Sequence, residues 1–216
     1  MYFIGGKLLT LHYNIRYYAM LQFIARENNR FSVPELVQMA IEGGCAWIVL
    51  DPGEMSDSAI REMAVEIIPL CKETSTILTM VDHADMAKEL GIHGVLLQND
   101  TRSAAELREM FGPEAIIGVE IGSLMEAMGL RGVDVDYAQF APGMNLDGIS
   151  RIVKDLRSEG ESLPLVYAGD APISDLGAVM VSGVSGVAIS KRIAEAEDPV
   201  KATEQAIAIL KLASEK

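Results

Sequence analysis

The sequence is poor in cysteine and in aromatic residues. Only Cys45 and Cys71 are present among its 216 residues, and they follow no metal-binding or redox spacing. This excludes a disulfide-rich secreted domain and favours two buried thiols in a reducing compartment. Aromatic residues make up 6% of the chain, whereas small and aliphatic residues dominate. That composition is typical of helices packed around a buried parallel sheet.

Basic residues are also scarce. The chain has 18 Lys and Arg against 31 Asp and Glu, a formal net charge of −13. Nucleic acid and anionic membranes both attract basic surfaces, so we expect neither as a partner. No stretch approaches the ~20 apolar residues of a membrane span. The first residues also lack the pattern of a signal peptide, and we therefore expect a cytoplasmic protein.

From Met20 onward, short apolar runs alternate with amphipathic segments. Such runs are typical of parallel strands buried on both faces. They predict strands at 20–24, 46–50, 76–81, 94–97, 115–119, 135–140, 163–167 and 186–189. Eight strand–helix units predict a single (β/α)8 TIM barrel, an α/β fold, over residues 20–216. Residues 1–19 would form a short N-terminal extension.

A doubly wound open sheet is the alternative arrangement for such alternation. The count of eight units argues against it, as does the lack of a Gly-x-Gly-x-x-Gly turn after the first strand.

Acidic residues follow five of the predicted strands, and in such barrels the chemistry lies at that end of the strands. The five residues are Asp51, Asp82, Asp100, Glu120 and Asp170. One interpretation is a metal site on one rim of the barrel. The other is that each aspartate caps the helix after it, a common role at strand–helix junctions. The residue pattern alone leaves both open.

A second candidate site follows the last two strands. Gly169 comes after the seventh, and Ser190 and Lys191 come after the eighth, where many barrels bind phosphate. Lys191 is the one cation that we expect at a strand end. The alternative is a solvated lysine at the start of a helix.

Three stretches, with shorter matches further along, resemble the thiamin phosphate synthase and TenI-like family. They are residues 42–48 (EGGCAWI), residues 82–95 (DHADMAKELGIHGV) and residues 98–100 (QND). The resemblance extends from about Met20 to Leu212. It implies a transferase that joins a pyrimidine methyl diphosphate to a thiazole phosphate and releases pyrophosphate. It further implies small phosphorylated metabolites as partners, a homodimer, and a Mg²⁺ ion held by Asp82 and Asp100.

Other family positions differ. The family's Gln-x-Arg-x-Lys after the second strand is replaced by residues 49–53 (VLDPG), so that Asp51 stands where an arginine is expected. Its Thr-x-Thr-Lys loop is shortened to residues 141–145 (APGMN), and Glu120 replaces a serine. Two further hypotheses therefore stay open. One is a non-catalytic regulatory or structural homologue, and the other is a barrel enzyme acting on another phosphorylated metabolite.

Overall fold

The computed structural model describes residues 21–215, which form one closed barrel of eight parallel strands. Each strand pairs with the next in sequence, and β8 pairs with β1. The strands are β1 Leu21–Ala25, β2 Trp47–Leu50, β3 Ile77–Val81, β4 Gly94–Leu97, β5 Ile116–Ile121, β6 Tyr137–Phe140, β7 Leu165–Ala168 and β8 Gly186–Ile189. The predicted (β/α)8 barrel is confirmed. The predicted N-terminal extension lies outside the described residues.

Helices follow the strands and cover the barrel. They are α1 Val33–Glu42, α2 Asp57–Glu73, α3 Ala84–Glu89, α4 Ala104–Phe111, α5 Leu124–Gly129, α6 Leu146–Ser158, α7 Leu176–Val181, α8 Lys191–Ala194 and α9 Pro199–Ser214, with a 3₁₀ turn at Ile173–Asp175. None among the described residues is long and apolar enough to cross a membrane. The short helix α8 begins at Lys191, as the alternative interpretation of that residue expected.

Local capping signals fix where several helices begin. Ser32 and Ser103 each form a capping box with the glutamate three residues later. Each box satisfies backbone N–H groups that would otherwise lack a partner at the first turn. Ser56 caps α2 through its side chain, which accepts the N–H of Ala59. Val65 of α2 is apolar but exposed to solvent.

Large aromatic side chains and glycine residues lie next to each other in the barrel interior. Trp47 and Tyr137 meet edge to face, with ring centroids 5.2 Å apart, and Trp47 Nε1 donates a 3.0 Å hydrogen bond to Thr79 Oγ1. A Cβ at Gly118 would lie 2.3 Å from the Tyr137 ring, and one at Gly94 would lie 1.8 Å from the Ile116 carbonyl oxygen. Glycine at these two positions lets the rings and the neighbouring strand fill the interior at normal density.

We predict that Gly94→Ala destabilises the barrel by about 3 kcal/mol or more, because the added methyl group overlaps backbone that cannot move aside. Chemical denaturation measures the loss. Gly129→Ala is the matched control, since nothing lies within 4 Å of a Cβ there. It should leave stability unchanged or raise it by up to about 1 kcal/mol. Equal effects of the two substitutions would contradict the packing argument.

The two cysteines are buried and unpaired, as expected from their isolation in the sequence. Burial raises the pKa of the Cys45 thiol to about 11 and that of the Cys71 thiol to about 12. Both groups therefore stay protonated at pH 8, where the reactive thiolate is almost absent. We predict no reaction of the native protein with a thiol reagent at pH 8 and two equivalents after denaturation. Rapid labelling of the native protein would contradict this account.

Candidate functional site

The carboxyl ends of β2, β3 and β4 open onto a pocket of about 260 Å³. Polar and acidic residues dominate its lining, which consists of Asp51, Pro52, Gly53, Glu54, Val81, Asp82, His83, Gln98 and Asn99. No lysine or arginine of residues 21–215 is part of this lining. The pocket lies at the rim where the sequence predicted the chemistry.

Asp82 organises the loop that follows β4. Its Oδ1 accepts backbone N–H groups from Gln98 at 2.8 Å and from Asn99 and Asp100 at 3.1 Å. Asp82 and His83 both have left-handed backbone, with φ of 52° and 45°. Two consecutive non-glycine residues in this region are strained, and such strain persists where surrounding contacts over-determine it. Here the three amides fix the aspartate in that conformation.

Asp100 lies on this loop with Arg102 bound to it. Arg102 Nε is 3.0 Å from both carboxylate oxygens, and Nη2 makes a further contact with Oδ2. The guanidinium also reaches Asp85, with Nη1 2.9 Å from Oδ2. Hydrogen bonding to Arg102 lowers the pKa of Asp100 below its ordinary value. Asp100 is therefore an ionised carboxylate with a cation beside it.

Two other rim aspartates also have arginine partners. Arg26 directly follows β1 and bonds Asp51 through Nη2. Arg192 Nε lies 3.3 Å from Asp170 Oδ1. The expectation that Lys191 is the one cation at a strand end was therefore wrong. β1 ends at Ala25, one residue later than predicted, and this places Arg26 at the rim.

Glu120 is the remaining one of the five predicted acidic residues, and it lies within β5 rather than after it. Gln98 Nε2 donates a 2.7 Å hydrogen bond to its Oε2. Burial raises the pKa of Glu120, and the charges of Asp82 and Asp51 raise it further. Asp51, Asp82 and Glu120 therefore lie within electrostatic reach of one another.

The predicted phosphate-binding residues lie at the ends of β7 and β8. Gly169 donates its N–H to Ala188 of β8 at 3.4 Å, so the two strand ends are adjacent. A Cβ at Gly169 would collide with the Tyr167 hydroxyl at 2.3 Å. Ser190 precedes α8, and Lys191 begins it with an exposed side chain.

The helix-capping interpretation does not describe the aspartates after β2, β3 and β4. Ser56 caps α2 and Ser103 caps α4, while α3 begins after His83 without a side-chain cap. Asp51 instead accepts the N–H of Gly53 at 3.1 Å. Asp51, Asp82 and Asp100 hold loops and arginines, and their carboxylates stay at the rim.

The donor chemistry at Asp82 and Asp100 fits Mg²⁺. Within residues 21–215, no group of three or more His, Cys, Asp or Glu side chains is placed to hold a metal. Mg²⁺ does not need one, because it binds through one or two carboxylates together with phosphate oxygens and water. The amide of Asp100 lies 3.1 Å from Asp82 Oδ1, so the two residues are close together.

A family model, curated relatives and a solved structure all match this chain. A family model described as "Thiamine monophosphate synthase" matches residues 21–193. A thiamine-phosphate synthase of Bacteroides fragilis is 32% identical over 201 residues, covering 88% of this chain and 98% of that protein. One from Bacteroides thetaiotaomicron is 30% identical over 197 residues, covering 86% and 94%. The structure of a thiamine phosphate pyrophosphorylase from Pyrococcus furiosus superposes with a TM-score of 0.82 at 26% identity, covering 93% of this chain and 99% of that one.

We predict that Asp82→Ala lowers stability by about 2 kcal/mol, even without any ligand, because three backbone N–H groups lose a charged acceptor. For a chain of this size that is a fall in Tm of roughly 4–8 °C. Asp85→Ala is the control, since that side chain is 82% exposed and makes one ion pair. It should cost less than about 1 kcal/mol. Thermal unfolding in EDTA measures both, and an unchanged Tm for Asp82→Ala would count against its role in the loop.

Proposed function

The chain belongs to the thiamine monophosphate synthase family, and we propose that it joins a pyrimidine methyl diphosphate to a thiazole phosphate. In this reaction the bond between the methylene carbon and the diphosphate oxygen breaks. The electron pair leaves with pyrophosphate, and the methylene carbon forms a new bond to the thiazole ring. Negative charge grows on the leaving group, so the site must stabilise that charge.

The observation that carries the proposal is the placement of Asp82 and Asp100 beside the polar pocket at the ends of β3 and β4. We propose that these two residues hold Mg²⁺. The ion would neutralise charge on the departing pyrophosphate. The hydrogen bonds from the loop after β4 keep Asp82 oriented, and those from Arg102 keep Asp100 ionised. A carboxylate fixed in this way loses little conformational freedom when it binds a ligand.

The composition of the pocket also supports an active site. A barrel mouth filled by methionine or tyrosine side chains would favour a binding or structural homologue. Among residues 21–215, neither lines this pocket, and the lining presents carboxylate and amide groups instead. The absence of lysine and arginine from this described part of the lining is the observation that favours the non-catalytic alternative, since a diphosphate needs cations.

Other parts of the family resemblance stay within the proposal. We assign Gly169, Ser190 and Lys191 to a phosphate group of the substrate, since the ends of β7 and β8 are adjacent. Asp51, Glu120 and Asp170 are further rim residues of the same site. A homodimer and a cytoplasmic location complete the proposal, and the two unpaired buried thiols fit a reducing compartment.

We predict Mg²⁺-dependent formation of thiamin phosphate and pyrophosphate when the protein is mixed with the two precursors. Asp100→Asn should lower kcat at least tenfold, because it removes a charge from the metal site while keeping the shape of the side chain. In thermal unfolding, Mg²⁺ with pyrophosphate at ~100 times its Kd should add about 2.7 kcal/mol of stability. That corresponds to a rise in Tm of roughly 5–10 °C.

One control variant and two possible outcomes separate the alternatives. Glu89→Gln changes an acidic residue that pairs with Arg61, away from the pocket, and should leave turnover unchanged. Binding of pyrophosphate without turnover would support the non-catalytic homologue. Neither turnover nor a thermal shift with either precursor or pyrophosphate would remove the synthase proposal.

A further inference from the structure

We propose that Arg26 and Arg102 bind the diphosphate of the substrate and replace the cations that the loop after β2 lacks. This inference rests on the proposed function and names the groups that recognise its anionic substrate. The two arginines come from other loops, one after β1 and one after β4. Arg26 bonds Asp51, which lines the pocket at the ends of β2, β3 and β4. Arg102 bonds Asp100, whose backbone N–H donates to Asp82 of the same lining.

A diphosphate bound in the pocket requires a cation from outside its described lining. Asp51, Glu54 and Asp82 all line the pocket, and no lysine or arginine of residues 21–215 does. A diphosphate placed there meets several like charges at close range, and each of them repels it. Even with Mg²⁺ at Asp82 and Asp100, the β2 side of the pocket would present the anion with Asp51 and Glu54. A cation bound to Asp51 would offset these charges on that side.

Arg26 is that cation. Its Nη2 contacts Asp51 Oδ2, and Asp51 itself lines the pocket. The carboxylate side chain is only 12% exposed, whereas the arginine side chain is 48% exposed. A guanidinium has five N–H donors. Arg26 can therefore stay bound to Asp51 and still direct N–H groups toward a phosphate oxygen.

Arg102 and Asp100 form a pair with the same distribution of exposure as Arg26 and Asp51. Asp100 is 12% exposed and holds Nε and Nη2, whereas the arginine side chain is 27% exposed. Nη1 contacts Asp85, whose side chain is 82% exposed. An exposed ion pair of this kind contributes little to stability. A phosphate oxygen can therefore take the place of Asp85 while Asp100 keeps the guanidinium in position.

The exposure of the two partners separates Arg26 and Arg102 from Arg61 and Arg192. The side chains of Arg61 and Glu89 are 40% and 61% exposed, and those of Arg192 and Asp170 are 46% and 56% exposed. In those two pairs both partners lie in solvent. Arg26 and Arg102 instead combine a largely buried carboxylate with a partly exposed guanidinium. Such positioning favours bidentate recognition of phosphate, for which arginine is better suited than lysine.

The test is the affinity for pyrophosphate in the presence of Mg²⁺, measured by calorimetry on the full chain. Arg26→Ala and Arg102→Ala should each weaken binding about tenfold, and the double substitution about a hundredfold if the two sites act independently. Arg26→Lys and Arg102→Lys should recover part of the loss, because the charge returns without the planar fork. With substrate, the alanine variants should raise KM for the diphosphate more than KM for the thiazole phosphate.

Arg61→Ala is the matched control and should bind pyrophosphate as the unchanged protein does. If Arg102→Ala fails to fold, as thermal unfolding would reveal, the lysine variant and Arg26→Ala carry the test. Changes in affinity below twofold for both arginines would overturn the inference, as would tighter binding in Arg102→Ala. So would a lack of pyrophosphate binding by the unchanged protein.

The same experiments distinguish this inference from the proposed function. Turnover by the unchanged protein together with unaltered pyrophosphate affinity in the arginine variants would leave the synthase proposal intact and remove the arginine assignment. Arginine-dependent pyrophosphate binding without turnover would remove the synthase reaction and keep the anion site.

Discussion

The hydrogen bonds from the loop after β4 to the Asp82 carboxylate determine most of the candidate site. They fix Gln98, Asn99 and Asp100 against the end of β3. Gln98 then reaches across to Glu120 of β5, so one carboxylate sets the positions of groups on three neighbouring strands. Because charged hydrogen bonds to backbone amides are strong, the strained backbone at Asp82 and His83 can persist. The barrel supplies the strand ends, and this contact orders the loop between them.

Charge balance is the second constraint on this rim. Five acidic residues near the carboxyl ends of the strands would repel one another in a partly buried site. Arginines pair with three of them, Asp51, Asp100 and Asp170. Glu120 is instead bonded to a neutral amide, and burial together with nearby carboxylates raises its pKa. The chain is acidic as a whole, and so is the lining of the pocket. The rim beside the pocket nevertheless consists of arginine–carboxylate pairs.

The sequence predicts the barrel well because buried parallel strands appear as apolar runs that alternate with amphipathic segments. It also identifies Asp51, Asp82 and Asp100 as residues of one rim, because the carboxyl ends of the strands meet there. It does not reveal the partners of these residues. Arg26 lies 25 positions before Asp51, so only the closed barrel brings the two together. Arg102 lies two positions after Asp100, but its pairing depends on the loop conformation that Asp82 imposes.

The carboxylates of Asp82 and Asp100 already accept hydrogen bonds, and a ligand must compete with these contacts. A carboxylate offers about four lone-pair positions. Asp82 uses most of them for backbone amides, and Asp100 uses its own for the Arg102 side chain and for the Arg102 backbone N–H at 3.0 Å. A metal ion or an anion entering this site therefore exchanges existing hydrogen bonds rather than filling empty positions. The affinity that is measured is the difference between new and displaced contacts. The contact that costs least to displace is the solvent-exposed Arg102–Asp85 pair, so exchange is expected to begin there.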